Sequence, residues 1–508
     1  MLKIYKVHCF LILTFFLSGK INADFCCRSI KDSVQIGDKE QLFLDDYLIK
    51  NSTNIIRRMH PAQKYQGNPV IWPTESWENK EAVIYGSVIR DNDKFKMWYL
   101  AGGVSYAESL DGINWVKPLL DNVLIDGHKT NILFRTRREI VNQVEIPIPT
   151  FVEVFGVHKD DRDNDPSRRY KMGFLSIISN YSGPRADPFH PNERRGVGVA
   201  GSPDGIHWKL IDPFATEATC DGGTHWMYDT VRNKYVLYGR TKYTSPEVEN
   251  AWSGFEWYKK HWGRSVARVE SDDFLHWDFT DPASAPVVMT ADRLDVPGTE
   301  IYSMLVFPYE SVYIGLIQIY VPEASYLDIQ LAVSHDSYHF TRVGDRKPFI
   351  RLGPIGSWDR YNNSLANNPP IAVGDELRFY YGGRLSRHSP YQGKDKGVGA
   401  GIGFATIKRS RFISLEASFD GGTVTSKPLV FSGSKLFLNA NCRFGTIKVS
   451  LLDDKGNEIS DWSGNVKGKD DIDIYVPFNQ GDIGKFAGQK ISLRFTLSNA
   501  QLFGFRII

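Results

Sequence analysis

The sequence predicts an all-β protein, a five-bladed β-propeller followed by a C-terminal antiparallel β-sandwich. Three observations carry that expectation. One signature recurs four times, as Ser109-Leu-Asp111-Gly-Ile-Asn-Trp115, Ser202-Pro-Asp204-Gly-Ile-His-Trp208, Ser271-Asp-Asp273-Phe-Leu-His-Trp277 and Ser334-His-Asp336-Ser-Tyr-His-Phe340, with copies starting 93, 69 and 63 residues apart. Fixed offsets at such a period mark one supersecondary unit copied along the chain. A second run of β-branched and aromatic residues recurs as Phe95–Tyr99, Tyr170–Phe174, Tyr235–Tyr238, Tyr313–Leu316 and Leu377–Tyr381, each bounded by turn formers, so five units are visible. From about Arg411 the signature stops while short strands continue, which is the pattern of a separate sandwich.

Taken in order, the chain opens with Lys3 and Lys6, an apolar run from Cys9 to Leu17 and a small-residue exit at Ile21-Asn-Ala23. That layout is a secretory signal peptide over residues 1–23, and it predicts export to a secreted or periplasmic location. Elsewhere no run approaches the ~20 apolar residues of a membrane helix, so no span is expected. Cys26, Cys27, Cys220 and Cys442 follow no zinc or redox spacing. An adjacent pair such as Cys26-Cys27 rarely bridges to itself because of strain, and the sequence leaves open whether either pairs with Cys220 or Cys442.

Val34 to Lys50 holds a strand candidate, Gln41–Ile49. A ring of sheets must tie its ends together or leave an open edge, so Leu42–Ile49 is expected to pair with Gly401–Ile407. The units run over 60–118, 128–210, 218–280, 296–345 and 357–407, giving a propeller over 34–408. In the first two signatures Asp bonds neighbouring amides and Gly takes positive φ, a tight reversal. The later strands, Thr423–Val430, Lys435–Leu438, Gly445–Leu452, Asp471–Tyr475, Ile491–Thr496 and Gln501–Ile507, make the sandwich over 411–508, an accessory domain with a stabilising role.

Lys plus Arg number 61 and Asp plus Glu 59, so nothing in the balance calls for nucleic acid or an anionic membrane. A neutral partner is compatible with it.

With ring and sandwich in hand, the chain resembles the five-bladed propeller glycosidase superfamily of invertases, levansucrases, arabinanases and β-xylosidases. The Ser-x-Asp-x-x-x-Trp turn, the strand Lys96-Met-Trp-Tyr99 and the sandwich carry the resemblance from about Leu42 to the end. More narrowly, Leu42-Phe-Leu-Asp-Asp-Tyr-Leu48, Asn164–Lys171, Gly356-Ser-Trp-Asp359 and Thr425–Leu429 resemble a little-characterised exported glycosyl-hydrolase-like branch. The resemblance implies three carboxylates converging on an axial funnel, from the first, second and third blades. Here Tyr85 stands where the first Asp would align, and the Trp-x-Asn-Asp-Pro, Arg-Asp-Pro and Glu-Cys motifs of invertases are absent.

Side chains just before the inner strand of each blade face the funnel. Those positions offer Glu78 and Glu81, Asp221 and His225, Glu300 and Tyr302, and Asp359 with Arg360; the second unit offers Thr150, with Glu145 and Glu153 nearby. Glycoside hydrolysis needs one carboxyl to protonate the leaving oxygen and another to attack or stabilise the anomeric centre or activate water. Asp221 and Glu300 are the expected acid/base pair, with Glu81 and Asp359 next. Tyr85, Trp226, Tyr302 and Trp358 are expected to stack on sugar, and Arg240, Arg264 and Arg384 to bond hydroxyls or a carboxylate. His225 is expected to hydrogen-bond substrate or core, with no metal and no organic cofactor. Trp98 and Trp277 are assigned to packing. The segments 176–195 and 242–263 read as long loops on a binding face. A glycoside hydrolase acting on a plant- or algal-type polysaccharide or its oligosaccharides leads; a non-catalytic carbohydrate-binding propeller and a protein-interaction scaffold are the alternatives.

Overall fold

The computed structural model describes residues 33–78, 80–135, 150–184, 186–187, 190–217, 223–256, 263–277, 286–388 and 399–508. The predicted signal peptide, Cys26, Cys27 and Cys220 lie outside them; Cys442 is buried with a free thiol. The chain is nearly all β. Among the described residues no helix is long and apolar enough to cross a membrane.

Each predicted aromatic run is the second strand of an antiparallel group. The first sheet is Val88–Asp91, Lys94–Leu100, Val104–Ser109 and Ile132–Phe134; the second is Thr150–Lys159, Tyr170–Ser179, Glu193–Ser202 and Lys209–Thr216. The third is His225–Asp229, Lys234–Lys242, Arg264–Ser271 and Val287–Met289. A nine-stranded sheet then joins two groups, Glu300–Tyr309 to Thr341–Val343 and Asn362–Leu365 to Ala400–Lys408, through one parallel register pair, Leu327 with Asn362. Segment 176–195 takes in the ends of the second sheet's central hairpin strands, 176–179 and 193–195, and the connection between them, and 242–263 contains the helix Pro246–Trp252.

The recurring signature is a latch between neighbouring sheets. In every copy the Ser hydroxyl accepts the amide three residues on at 2.9 Å, and the Asp carboxylate accepts the next two amides at 2.8–2.9 Å. This fixes positive φ at Gly112, Gly205, Phe274 and Ser337 and leaves carbonyls facing out. Trp98 of the first sheet donates to Gly205 O of the second at 2.7 Å, Tyr238 of the third to Ser337 O at 3.2 Å, and Tyr380 of the last group to Gly112 O of the first at 2.8 Å. A bulky residue at positive φ is strained, and at Phe274 the strain is offset by burial against Trp226, ring centroids 4.6 Å apart. Burial raises the carboxyls of Asp204, Asp273 and Asp336, but the turn's hydrogen bonds outweigh it, and Asp204 and Asp273 fall to about 2. Folded values below the unfolded 3.8 stabilise above pH ~4, and that contribution is lost as pH falls toward ~2. Thermal melts between pH 5 and pH 2.5 should therefore show a falling Tm, less steep in an Asp204→Asn, Asp273→Asn double variant.

Leu42–Ile49 does not pair with Gly401–Ile407 as expected. Gln63–Lys64 pairs with Ala405 and Thr406, and Ile71 bridges Ile402, whereas Gln41–Leu42 pairs with Ala500–Ile507 and Ile49–Thr53 with Gly422–Ser426. Ile56–Met59 lies on Ile413–Ala417. Leu42–Ile49 thus belongs with the C-terminal sheets: Phe43 is buried between Phe495 and Phe505, at 5.9 and 5.8 Å, a partner set the sequence offers as readily as the ring edge. Those sheets also contain two strands not foreseen, Ile413–Ala417 and Glu458–Lys467.

Where this N-terminal segment meets the tip of Glu300–Tyr309, the Glu40 amide donates to Glu310 Oε2 at 3.0 Å. Burial, with Glu310 alongside, lifts the Glu40 carboxyl to about 7 against hydrogen bonds from Ser410 and Asn439. A raised carboxyl stabilises fully below its unfolded value of 4.5, and that stability is lost as pH rises through 7. Glu40→Gln should flatten Tm across pH 5–8, as scanning calorimetry would show.

Candidate functional site

Register places the candidate residues along one edge. Glu300 pairs across strands with Tyr320, Tyr320 with Leu327, Leu327 with Asn362, Asn362 with Arg384 and Arg384 with Ala400, which Glu81 bridges. Arg264, opening its strand opposite Lys242, lies at the same end of the third sheet. Glu300, Asn362, Arg384 and Glu81 therefore lie at the same strand end, and Arg264 reaches Glu300 from the neighbouring sheet.

Glu300 is 1% exposed and ion-paired with the buried Arg264. Tyr302, Tyr320 and His388 stand edge-on around this pair, with centroids 5.0–6.2 Å apart, and Tyr302 Oη lies 3.4 Å from His388 Nε2. The Arg240 and Arg264 guanidiniums lie 5.3 and 5.7 Å from the Tyr302 ring, so cationic and aromatic groups share one buried wall. Ser325 Oγ donates to His388 O at 2.5 Å and holds the His388 segment against the wall.

Asp359 is 2% exposed and fixed from three sides. Ser357 Oγ donates to one oxygen at 2.9 Å, Tyr381 Oη to the other at 2.8 Å, and Lys64 forms an ion pair with it. Its loop lies directly on the strand Glu376–Arg384. A Cβ at Gly383 would meet Asp359 Cβ at 2.4 Å and the Trp358 ring at 2.5 Å, so a side chain there would push the loop off. Trp358 is partly exposed and stacks on Tyr381 at 5.5 Å. Glu81 is exposed, with Arg384 3.9 Å away, and Tyr85 lines a narrow slot with Asn362, Ser364 and Arg384.

Other expectations are corrected or fall elsewhere. Trp226 is enclosed, its ring against His158 and Phe274 and its indole N–H on Gly156 O at 3.2 Å, so it offers no face to a sugar. His225 is also fully enclosed and reaches core, not surface. Glu78 is a structural anion: its carboxylate accepts the Thr74 and Glu75 amides at 2.7 and 2.9 Å and pairs with Lys117 at 2.6 Å. Trp98 and Trp277 are in the core. Asp221, Glu145, Trp257 and Trp262 lie outside the described residues, as does the Glu153 side chain. Sequence reading missed Lys64, Tyr320, Tyr381 and His388. Lys64 was hidden by the misassigned ring closure; the Arg384-Leu-Ser-Arg-His388 run after a predicted strand was a usable signal.

Among the described residues no group of three or more His, Cys, Asp or Glu is placed to hold a metal ion. The arrangement offers two buried carboxylates, Glu300 and Asp359, each fixed beside a cation and tyrosines, with partly exposed Trp358 and Arg384 toward solvent. Two further cavities, of about 560 and 410 Å³, open at the other end of the sheets, the larger beside the signature residue Asp273.

No family model matches the sequence, and no curated protein matches it. Solved structures similar to the chain are glycoside hydrolases. A glycosyl hydrolase from Bacteroides ovatus is 15% identical, with 74% of this chain and 98% of that one covered and a TM-score of 0.44. A thermostable family-43 glycoside hydrolase is 10% identical over 71% of this chain and 96% of its own, TM-score 0.41. A Bombyx mori beta-fructofuranosidase is 10% identical, covering 89% and 94%, TM-score 0.39.

Proposed function

We propose that this protein is an exported glycoside hydrolase acting on a polysaccharide or its oligosaccharides at the axial funnel of a five-bladed β-propeller. The propeller comprises residues 63–408. An accessory β-sandwich combines residues 34–59 with 411–508, following the strand pairing described above.

One observation carries the reading. Glu300 and Asp359, from different strand groups, are buried at the same strand end, and the Asp359 loop carries a partly exposed aromatic ring, Trp358. A glycosidase needs carboxylates held rigidly on either side of a bound sugar and an apolar surface for the ring face. Fixed partners supply the rigidity: Arg264 for Glu300, and Ser357, Tyr381 and Lys64 for Asp359. In this reading Glu300 works with Asp221 as the acid/base pair, Glu81 and Asp359 support charge at the anomeric centre, and Trp358, Arg384, Tyr85, Arg240, Arg264 and Tyr302 shape the sugar site. His225 and Trp226 act from the core.

A second reading, carbohydrate binding without cleavage, is favoured by one feature: Glu81, Glu300 and Asp359 each have a cation within reach. The two part in one experiment. Purified protein is incubated with a panel of plant and algal polysaccharides, and both reducing-end release and binding are measured. Release of sugar supports hydrolysis; binding without release supports the second reading; neither sinks both. In the hydrolytic case a carboxyl separation of ~5–5.5 Å implies retention and ~6.5–9.5 Å inversion.

A further inference from the structure

Large apolar side chains left in water are informative when they gather at one place. At one end of the C-terminal sheets two aromatic rings do so: Phe419 is 83% exposed and Phe444 81%. Their turns share an anchor. Ser498 Oγ donates to Phe419 O at 3.2 Å and Asn499 Nδ2 to Phe444 O at 2.9 Å, so adjacent residues of one turn hold both loops. Strand order gives the spacing. Gly422–Ser426 and Thr446–Leu452 pair on either side of Ser492–Ser498, with Gly422 opposite Leu497 and Thr446 opposite Ser498. The phenylalanines stand just before Gly422 and Thr446, and so lead into strands two spacings apart, about 10 Å.

Both turns are closed tightly on this anchor. A Cβ at Gly445 would lie 2.1 Å from Ser498 O and 2.2 Å from Asn499 O, so the Phe444 turn packs directly on it. Gly421, at φ 81°, closes the Phe419 turn with its amide on Ser418 O at 3.1 Å, and the Asn499 amide donates to the same oxygen at 2.9 Å. The rim then chooses among partners. Exposed Arg443, Lys467 and Lys469 are interspersed with exposed Asp420 and Asp471, and Asp470 lies 3.5 Å from Arg443. A polyanion or an anionic bilayer calls for a patch of one sign, and here no sign dominates. Apolar ring faces within a rim of mixed donors and acceptors suit a neutral glycan, whose sugars carry an apolar C–H face and hydroxyls that both donate and accept.

We infer that this end of the C-terminal sheets is a second glycan-binding site, at which Phe419 and Phe444 stack on successive sugars of a neutral polysaccharide chain. The choice of occupant rests on the proposed function. The rings belong to a different part of the chain from Glu300 and Asp359, so they hold the polymer without touching the reacting centre. Holding it raises the effective concentration of long chains at that centre and leaves short ones unaffected.

The test compares the full chain with a Phe419→Ala, Phe444→Ala double variant and with Trp358→Ala, in native gels cast with arabinoxylan, arabinan, inulin or laminarin. Flotation with phosphatidylcholine vesicles and sedimentation velocity are run beside them. Because both rings are exposed, the double variant should melt within about two degrees of wild type. At least one polymer should retard wild type and still retard Trp358→Ala, and the double variant should bind that polymer about tenfold more weakly. Turnover of the polymer should fall with it, while turnover of short oligosaccharides should hold. Equal retardation of the double variant and wild type, or no retardation of wild type by any polymer, overturns the inference. So does vesicle flotation, or a dimer in sedimentation, that the double variant abolishes. The functional reading fails separately. A chain that binds polymer through the rings but releases no sugar leaves this inference intact, and one that releases sugar while the double variant binds as wild type overturns this inference alone.

Discussion

Glu300→Gln is expected to lower turnover of the cognate glycan by about 10²–10⁴-fold, the range a positioned acid or base contributes. Gln keeps the volume and one acceptor, so the Tyr302–Tyr320–His388 wall should stay in place and binding should change little. Arg264→Met is the control that separates chemistry from architecture. It strands a carboxylate that is 1% exposed, and removing one partner of a buried ion pair costs roughly 3–5 kcal/mol. Glu300→Gln in turn leaves the buried Arg264 cation without its carboxylate. Steady-state kinetics beside thermal melts should therefore show both variants destabilised, with turnover per folded molecule lost in Glu300→Gln and largely kept in Arg264→Met. If Glu300→Gln retains turnover once corrected for folded fraction, Glu300 is an anchor for Arg264, and the acid/base assignment fails.

How far the sequence reached follows from the range of the interactions involved. The five aromatic runs and the Ser-x-Asp turns were legible because their causes are local: strand composition, and a carboxylate closing on amides two and three residues away. Glu300 is the first residue of the strand that opens its group and Asp359 lies three residues before Asn362–Leu365, so both follow from reading where strands start. What escaped was pairing across hundreds of residues. Lys64 reaches Asp359 only because Gln63–Lys64 adds to Ala400–Lys408, and nothing near Lys64 encodes that choice. Trp226 escaped for another reason. It lies one residue into a strand opening at the site end, but its ring packs down between sheets, and alternation alone does not say which neighbour fills the space. The same limit applies to Glu78, whose burial depends on a lysine 39 residues away.

The pairing of residues 34–59 with the C-terminal sheets changes what a truncation should do. As a stabilising accessory domain, 411–508 would on deletion cost solubility before chemistry. The observed strands make the loss larger. Gln41–Leu42, Ile49–Thr53 and Ile56–Met59 would each lose their partner strand, leaving open edges, and Ile36, Phe43 and Leu48 would be stripped of their core. At about 1.5–3 kcal/mol for each large apolar side chain returned to water, that loss alone is comparable with the net stability of a domain. The stranded segment would also remain tethered to the turn after Tyr326–Ser334 through the Asp45–His335 pair at 3.0 Å and Tyr47 stacked on His335 at 3.9 Å, keeping its exposed apolar face attached. The single deletion is therefore expected to aggregate, whereas a chain cut at both ends to residues 60–410 should stay soluble and melt cooperatively, because its own edge is closed by Gln63–Lys64 and Ile71. Size-exclusion chromatography and calorimetry of the two truncations decide the matter. A soluble, cooperatively melting single deletion would mean that residues 34–59 hold no essential place among the C-terminal sheets, and the division of the chain proposed above would have to be abandoned.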